Sequence, residues 1–459
     1  MSQVKVAVIG SGISGLSAAW LLASKHDVTL FEAEDRLGGH ANTVDIDTPD
    51  AGRIPIDTGF IVYNTACYPN LIALFVRLGV PTAETDMSFA VSLDGGGYEY
   101  SGSGLGGLFG QASNILSPAH WRLTREIFRF FREANAIDAS KLDPDVTLGD
   151  WLAERRYSKR FIHAHIVPMG AAIWSTPADE MLAFPFAAFA RFFANHGLLQ
   201  AFNRPAWRTV RGGSREYVNR LSADFRGRIV KADPVVTVAG GAKSVTVTTA
   251  SGLSETFDAA ILACHADAAL MIIDEPDAQS HAFLSSFRFA ANEAILHTDI
   301  GQMPRRKRLW SSWNYIGDAE GGEGFGSQRL SASYWMNKLQ PLATKTDYFV
   351  TLNPVTPIPE TAIVRRFSYR HPMFDATALR AQAKLPDVQG RNCLWFAGAY
   401  LGFGFHEDGV QSGLAAAEHL SLRLGGVGDR VERPWTWDKG QNRIAAAPGE
   451  ERVTLEPVI

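Results

Sequence analysis

A glycine-rich turn between two short apolar runs constrains this chain more than any other feature. Residues 6–9 and 28–31 are rich in β-branched and apolar side chains, which is typical of buried parallel strands. Between them lie Gly10, Gly12 and Gly15, the last inside a segment with helical periodicity. Gly10 suits a tight turn, Gly12 lets the backbone approach a pyrophosphate, and Gly15 lets the helix pack on the strand. The pattern predicts a βαβ unit that binds a dinucleotide.

Two further features of this unit concern the same ligand. Backbone N–H groups at the helix start, those of Ile13 and Ser14 among them, are expected to face the phosphates. Glu32 closes the second strand, twenty residues after Gly12, where a carboxylate accepts hydrogen bonds from a ribose. The alternative is a plain βαβ start with incidental glycines. The spacing of strand, helix, strand and acid favours the dinucleotide site.

The residues after Glu32 narrow the choice of dinucleotide. Arg36 is placed to pair with phosphate, and the pair Gly38 and Gly39 permits another close approach of backbone to ligand. With this extension the sequence strongly resembles the flavin-dependent amine oxidase superfamily, which includes monoamine oxidases, protoporphyrinogen oxidase and phytoene-desaturase-type enzymes. The resemblance implies FAD as the cofactor. Many members carry arginine after the glycine pair, so His40 at that position implies a weaker or neutral phosphate contact.

The resemblance recurs at widely separated places. Residues 57–64 match a glycine turn against the flavin ring, residues 207–221 match the turn that leads back into the FAD domain, and residues 258–269 match a strand close to the cofactor. Residues 396–399 match the final flavin strand, although Ala399 stands where many members carry an acid. The resemblance implies further FAD contacts from Ala33, Thr58, Gly59, Phe60, Val235 (through its backbone, to the adenine), Ala263, Cys264, Gly398, Ala399, Gly409 and Val410.

The whole chain most resembles a narrower bacterial subgroup of NAD/FAD-binding, FAD-dependent oxidoreductases. The stretches that carry this resemblance are 166–177, 333–340, 365–375 and 402–409. Some members of the subgroup are associated with fatty-acyl methyltransferases of the cyclopropane-synthase type. The resemblance therefore implies dehydrogenation of methyl-branched lipid chains.

The predicted fold class is α/β, a discontinuous Rossmann-type FAD-binding domain with an α+β substrate domain that contains helices and an antiparallel sheet. The domains are assigned as 1–80, 207–270 and 391–425 for FAD, 81–206 and 271–390 for substrate, and 426–459 as a tail that is extended on the surface or mobile.

Composition excludes several other classes of protein. A net charge of −4 argues against nucleic-acid binding, and three cysteines without ligand spacing argue against a disulfide framework. His163 and His165 have the spacing of two ligands on a strand but lack a third, so no metal site is predicted. No leader or membrane span is evident, which predicts a cytoplasmic protein. The basic, aromatic segment 304–313 is open to two interpretations, a solvated charged face or a peripheral contact with the inner membrane face.

Three consecutive polar residues stand at the mouth of the last helix, which is expected to begin near Gly409. In one interpretation Asp408 caps the helix, Glu407 favours its dipole and His406 is incidental. In the other, His406 or Glu407 lies above the flavin as an acid–base group or substrate anchor. We favour the second for His406 and Glu407, because a cap needs only one polar group. Tyr63 is a further candidate beside the substrate, with packing as the alternative.

The resemblance implies a flavoenzyme, and the apolar insertions favour one that takes a hydride from an apolar substrate. Aromatic helical sequence at 120–134 and 181–193 is expected to form core and to line a long apolar pocket, which suits a lipid-like, fatty-acyl substrate. The alternatives are a double-bond isomerase of fatty acids or isoprenoids, an amine oxidase in which Tyr400 or Phe403 flanks the ring, and a non-catalytic FAD-stabilised scaffold. The electron acceptor is left open.

Overall fold

A five-stranded parallel sheet forms the centre of the nucleotide-binding part of the molecule. The computed structural model describes residues 3–138, 142–143, 145–174, 178–200, 205–318, 329–438 and 443–446. The strand order in the sheet is Arg228–Val230, Asp27–Phe31, Lys5–Ile9, Ala259–Leu262 and Leu394–Phe396. Every strand comes from a segment predicted to belong to the FAD-binding domain. The predicted α/β fold class is confirmed.

The helices Ile13–Leu22 and His406–Asp429 pack on this sheet. The helix Ile13–Leu22 is buried at every position, so its small residues let it lie between the sheet and its neighbours. It packs against the long helix His406–Asp429 and against Arg215–Asp224. Added Cβ atoms at Gly409 and Gly413 would meet Ile13 and Ser14 of the first helix, which explains the close approach of the two helices. The ends of the chain thereby share one core.

A seven-stranded sheet carries the substrate side. Its order is Ile363–Met373, Arg288–His297, Phe349–Leu352, Arg329–Trp335, Trp313–Asp318, Phe89–Leu93 and Tyr98–Ser101. Its neighbouring strands are antiparallel except for Trp313–Asp318 and Phe89–Leu93, which run parallel. The predicted antiparallel sheet from 271–390 therefore forms, with two strands added from the first insertion.

Four smaller sheets complete the β-structure of the described residues. They are the three strands Val235–Gly240, Val245–Thr249 and Ser254–Phe257, the three strands Val62–Asn64, Trp207–Val210 and Thr82–Thr85, the pair Thr43–Thr48 and Gly52–Asp57, and the pair Trp435–Asp438 and Arg443–Ala446.

Helices between residues 118 and 195 form a second, aromatic core against the seven-stranded sheet. The remaining helices are Pro69–Arg77, Gly104–Leu108, Pro118–Asn135, Leu148–Glu154, Lys159–Phe161, Ile162–Ile166, Val167–Trp174, Ala178–Met181, Phe186–Asn195, Ala266–Ile272, Ala278–Leu284, Met336–Leu339, Ala376–Gln382 and Leu385–Val388, with short 3₁₀ turns at Asp94–Gly96, Ala112–Leu116, Ile300–Gln302, Lys307–Leu309, Glu360–Ala362 and Ala399–Leu401. No helix of the described residues has the length and apolar character needed to cross a bilayer.

Three local expectations are wrong. His163 and His165 lie in a helical segment, Ile162–Ile166, rather than on a strand. The last helix begins at His406 rather than near Gly409, and it continues to Asp429, past the predicted start of the tail. Trp435 of that predicted surface tail is buried. The described part of the predicted tail therefore contributes to the core.

Candidate active site

Glycine loops from two parts of the chain form the polar end of a large cavity. Gly10, Gly38 and Gly39 have φ angles of +100°, +111° and +55°, which other residues rarely adopt. A Cβ atom on Gly15 would lie 1.8 Å from the carbonyl oxygen of Gly10, so this position requires glycine for packing. By contrast, a Cβ on Gly12 would meet nothing within 4 Å, because Gly12 faces the open cavity.

The start of the helix Ile13–Leu22 borders this cavity, and its first N–H groups have no side-chain partner. Gly12 is its N-cap, no side chain caps it, and its first turn contains no acidic residue. The N–H groups of Ile13 and Ser14 and the positive end of the helix dipole are therefore available to an anion. This arrangement fits the phosphates of a dinucleotide.

Glu32 closes the second strand beside the same loop. One of its carboxylate oxygens accepts hydrogen bonds from the N–H of Ser11, at 2.9 Å, and from the Ser11 hydroxyl. The other oxygen accepts a bond from the N–H of Glu34, at 2.9 Å. The carboxylate is thus held in a fixed orientation at the end of the strand, as a ribose contact requires.

His40 supplies an unpaired polar atom to the cavity wall. Its Nε2 is buried and has no hydrogen-bond partner among the described residues. Burial, followed by nearby His371 and His265, holds the pKa of His40 well below its usual range, so the imidazole is neutral. This neutral imidazole fits the weaker or neutral phosphate contact that was predicted for His40. The open space at Gly12, the uncapped helix and this unpaired nitrogen together fit the dinucleotide.

The structure brings most of the predicted cofactor residues to one cavity wall. Those that line the cavity are Gly10, Gly12, Ile13, Ser14, Arg36, Gly38, Gly39, His40, Thr58, Gly59, Phe60, Ala263, Cys264, Gly398 and Ala399. Those that do not line it are Gly15, Glu32, Ala33, Val235, Gly409 and Val410. Gly15 and Gly409 instead make close helix packing, and Val410 is buried in the core. Direct cofactor contact at these six positions stays a prediction.

His406 is the member of the polar triplet that faces the cavity. Its ring stacks on Phe60, with centroids 3.6 Å apart and planes 14° apart. Its Nε2 lies 3.0 Å from the hydroxyl of Tyr217. Burial lowers the pKa of His406 to about 3, so the ring is neutral and acts as a hydrogen-bonding group rather than as a cation.

Glu407 does not lie on the cavity wall, and its predicted place above the flavin is wrong. Its carboxylate accepts hydrogen bonds from the backbone N–H groups of Asn70 and Leu71, at 3.0 and 2.9 Å, and from the Asn70 side chain at 2.6 Å. These donors open the helix Pro69–Arg77, so Glu407 caps a neighbouring helix. Burial raises the pKa of Glu407 to about 7.

Asp408 and Tyr63 also have structural roles. Asp408 occupies the third position of its helix, where its carboxylate accepts a bond from the N–H of Phe405 at 2.9 Å, and Phe405 rather than Asp408 is the N-cap. Burial raises the pKa of Asp408 to about 6. Tyr63 lies outside the cavity lining and packs edge-on against Phe75 at 5.4 Å, so the prediction of Tyr63 beside the substrate is wrong.

The cavity continues from the glycine loops into the aromatic helices. Its volume is about 1200 Å³, above the roughly 300–1,000 Å³ typical of a single small-molecule site. The far end is lined by the apolar residues Phe89, Leu105, Leu108, Ile127, Phe128, Phe131, Met169, Ile173, Phe192 and Leu198. The predicted helices at 120–134 and 181–193 thus form core and line an apolar pocket, as expected.

His196 also lines the cavity and was not predicted to belong to the site. Its ring stacks on Phe192 at 3.8 Å and packs at 5.4 Å from Phe405. The Nδ1 atom lies 3.0 Å from the carbonyl oxygen of Phe192, and burial lowers the pKa of the ring to about 4. A neutral ring that donates from Nδ1 keeps Nε2 as an acceptor. In the sequence, the only signal was a polar residue that ends an aromatic helix.

The charged lining contains more arginines than carboxylates. Among the lining residues that the structure describes, these are Arg36, Arg365 and Arg370 against the single carboxylate of Glu34. Arg36 pairs with Glu34, and Arg370 pairs with Asp267. No group of three or more potential ligands that could hold a metal ion occurs in the described part of the chain. A positively charged substrate therefore finds little compensation in this cavity.

Comparisons with known proteins agree with this geometry. A family model described as flavin containing amine oxidoreductase matches residues 13–300. A curated relative from Mycobacterium tuberculosis, described as a flavin-containing monoamine oxidase, AofH, is 28% identical over 263 residues, which are 55% of each protein. The match to this chain thus spans about half the length of that relative.

Solved structures show the same fold over nearly the whole chain. A fatty acid isomerase from P. acnes that produces CLA has a TM-score of 0.66 at 14% identity, covering 92% of this chain and 99% of that one. Cyclohexylamine oxidase from Brevibacterium oxydans has a TM-score of 0.65 at 16% identity, covering 92% and 100%. At these identities the similarity establishes the fold alone.

Proposed function

Because this chain belongs to the flavin containing amine oxidoreductase family, we propose that it is an FAD-dependent oxidoreductase that removes a hydride from an apolar, lipid-like substrate. The substrate class is a fatty-acyl or methyl-branched fatty-acyl chain. Family membership implies FAD, and the glycine loops, the uncapped helix and His40 are the residues that would hold it. The observation that carries the proposal is the single cavity that joins those loops to a phenylalanine-rich pocket.

The chain itself contributes positioning and exclusion of water. FAD supplies the hydride acceptor when it is bound. Ile127, Phe131 and Met169 form an apolar surface that suits an alkyl chain, and burial of that chain would displace water from the cavity. His406 and His196 are neutral, and both line the cavity. Their ring nitrogens would hydrogen-bond to a polar group of the substrate, such as an acyl carbonyl, without adding charge.

Two alternative functions each have a specific observation that supports them. The fold shared with the fatty acid isomerase favours, as a second candidate, an isomerase that borrows a hydride and returns it. Amine oxidation is the third candidate, supported by the fold shared with cyclohexylamine oxidase and by Tyr400 in the cavity lining. Phe403 lies outside that lining. Against an amine, which is protonated at neutral pH, Glu34 is the one carboxylate in the described lining, and it already pairs with Arg36.

Anaerobic mixing with long-chain acyl substrates tests the proposal. We expect lasting bleaching of the flavin together with a new double bond in the product. Unchanged colour with a shifted double bond would establish isomerisation instead. Release of peroxide from simple amines, without any reaction of acyl substrates, would contradict the proposal and favour amine oxidation.

A matched pair of variants locates the substrate. Met169→Glu puts a charge in the apolar end of the cavity. We expect acyl substrates to reduce the flavin at least about tenfold more slowly, because burying an unpaired carboxylate beside an alkyl chain is costly. Met271→Glu makes the same change at a side chain that is 76% exposed and outside the cavity, and it should react normally. Reduction by dithionite should be unchanged in both. Equal behaviour of the two variants with acyl substrates would contradict the proposed pocket.

A further inference from the structure

One face of the helix Pro118–Asn135 alternates exposed aromatic and arginine side chains. Trp121, Arg125, Phe128 and Arg132 follow one another at intervals of four, three and four residues, and all four are exposed. This spacing places them in one stripe along the helix. Trp121 and Phe128 are 53% and 44% exposed, although the opposite side of the helix is buried in the aromatic core.

Further apolar side chains extend this stripe. Leu116 is 86% exposed, Leu105 69% and Ile115 53%. The indole N–H of Trp121 donates to the carbonyl oxygen of Ile115 at 2.8 Å, which holds the turn Ala112–Leu116 beside the start of the helix. We call the seven residues Leu105, Ile115, Leu116, Trp121, Arg125, Phe128 and Arg132 the docking face.

The charge of the docking face is positive. Arg122 and Arg129 pair with Glu126 and Glu133 on the same helix. Within the described chain, neither Arg125 nor Arg132 is paired with a carboxylate, and both share a surface groove with exposed Arg156. A surface that combines exposed aromatic residues with unpaired arginines matches the boundary between anionic headgroups and acyl chains.

The docking face coincides with the mouth of the cavity. Leu105 and Phe128 are exposed to solvent and also line the cavity. Behind them, Ile127 and Phe131 belong to the same helix and line the apolar end. A molecule that entered beside Phe128 would therefore reach the apolar end first and the glycine loops afterwards.

We propose that the docking face binds an anionic lipid bilayer and opens the cavity directly to its acyl chains. As a route for substrate, this rests on the proposed lipid-like substrate, whereas binding to the bilayer does not. A second copy of the chain is a poorer occupant, because a symmetric contact through this face would bring Arg125 and Arg132 of both copies together. The predicted contact through 304–313 stays a separate prediction. In that segment Leu309 is buried and Arg306 pairs with Glu99.

Co-sedimentation of the flavin-loaded protein with vesicles tests the proposal without any turnover. We expect binding to phosphatidylcholine vesicles that contain phosphatidylglycerol, weaker binding to phosphatidylcholine alone, and release by high salt. Arg125→Gln with Arg132→Gln should lower the partition coefficient by about 30-fold, since each basic residue near the surface contributes about 1 kcal/mol. Ile115→Ser with Leu116→Ser, which changes no cavity residue, should also reduce binding.

The matched control neutralises two exposed cations elsewhere. Arg226→Gln with Lys243→Gln makes the same change in net charge and should bind vesicles like the unmodified protein. Binding lost equally in the control, or absent from the unmodified protein, would overturn the proposal, as would a dimer in solution that Ile115→Ser with Leu116→Ser dissociates. Bilayer binding by a protein that rejects every acyl substrate would leave the docking face intact and refute only the proposed function.

Discussion

His406, Glu407 and Asp408 are neighbours in sequence, yet each side chain serves a different part of the molecule. His406 stacks on Phe60 at the cavity wall, Glu407 caps the helix Pro69–Arg77, and Asp408 closes the first turn of its own helix. Burial lowers the pKa of the histidine and raises the pKa of both carboxyls. One residue of the triplet therefore belongs to the site, and the other two stabilise the starts of neighbouring helices.

Glu407 makes stability depend on pH with a defined sign. Burial raises the folded-state pKa of Glu407 to about 7, above its ordinary value, so its contribution to stability is fully present at low pH and is lost as the pH rises through 7. The unfolding free energy of the native protein relative to Glu407→Gln should fall by about 2.5 kcal/mol between about pH 5 and about pH 8. Urea denaturation of both proteins at the two pH values measures this change. The exposed substitution Glu154→Gln should give a flat difference, and a rising difference for Glu407→Gln would refute the argument.

At the scale of elements, the two glycines at the start of the first helix, Gly12 and Gly15, are required for different reasons. Gly15 faces the backbone of Gly10, whereas Gly12 faces open space in the cavity. The same small residue thus serves packing at one position and ligand access at the other. This distinction follows from the surroundings of each Cβ position and not from the motif, in which the two glycines look equivalent.

Substitution by alanine separates these two requirements. Gly12→Ala should keep the unfolding free energy within about 1 kcal/mol of the unmodified protein but should lose bound flavin, because the methyl group enters the space for the phosphates. Gly15→Ala should lose about 1–3 kcal/mol or more of stability, because its Cβ would overlap the Gly10 carbonyl oxygen. Visible flavin absorbance and chemical denaturation measure the two effects. A stable, fully yellow Gly12→Ala protein would contradict the proposed phosphate site.

The sequence predicts correctly those elements whose contacting residues are close to one another along the chain. The βαβ unit with its strands around Val8 and Leu30 could be predicted, because the apolar pattern of this short segment and its three glycines specify the whole unit. The role of Glu407 could not, since its donors on Asn70 and Leu71 come from a distant part of the chain. His196 was missed for the same reason, because its contact with Phe405 joins two distant parts of the chain.

At the scale of the whole molecule, residues near the end of the described chain return to the first helix. Trp435 stacks on Trp20 with centroids 6.2 Å apart, and its indole N–H donates to Asn70 at 3.0 Å. Arg433 binds both carboxylate oxygens of Glu418 at 2.8 Å. These contacts attach the segment after the last helix to the nucleotide-binding core, which composition alone did not indicate.

Loss of this attachment should destabilise the entire protein. Trp435→Ala should lower the unfolding free energy by about 3–5 kcal/mol, as expected for a large buried aromatic side chain. Trp121→Ala, at a side chain that is 53% exposed, should cost less than about 1 kcal/mol. Thermal and chemical denaturation of the two variants provide the comparison. Similar losses in both would mean that the segment around Trp435 is not part of the cooperative core.

The parallel sheet also determines when the protein can finish folding. Lys5–Ile9 leaves the ribosome early, but its neighbour Ala259–Leu262 emerges much later and the edge strand Leu394–Phe396 later still. The nascent chain must therefore keep an apolar half-sheet protected while both insertions are translated. Chaperone engagement should be greatest in that interval, and yellow colour should develop only after translation has passed the final strand.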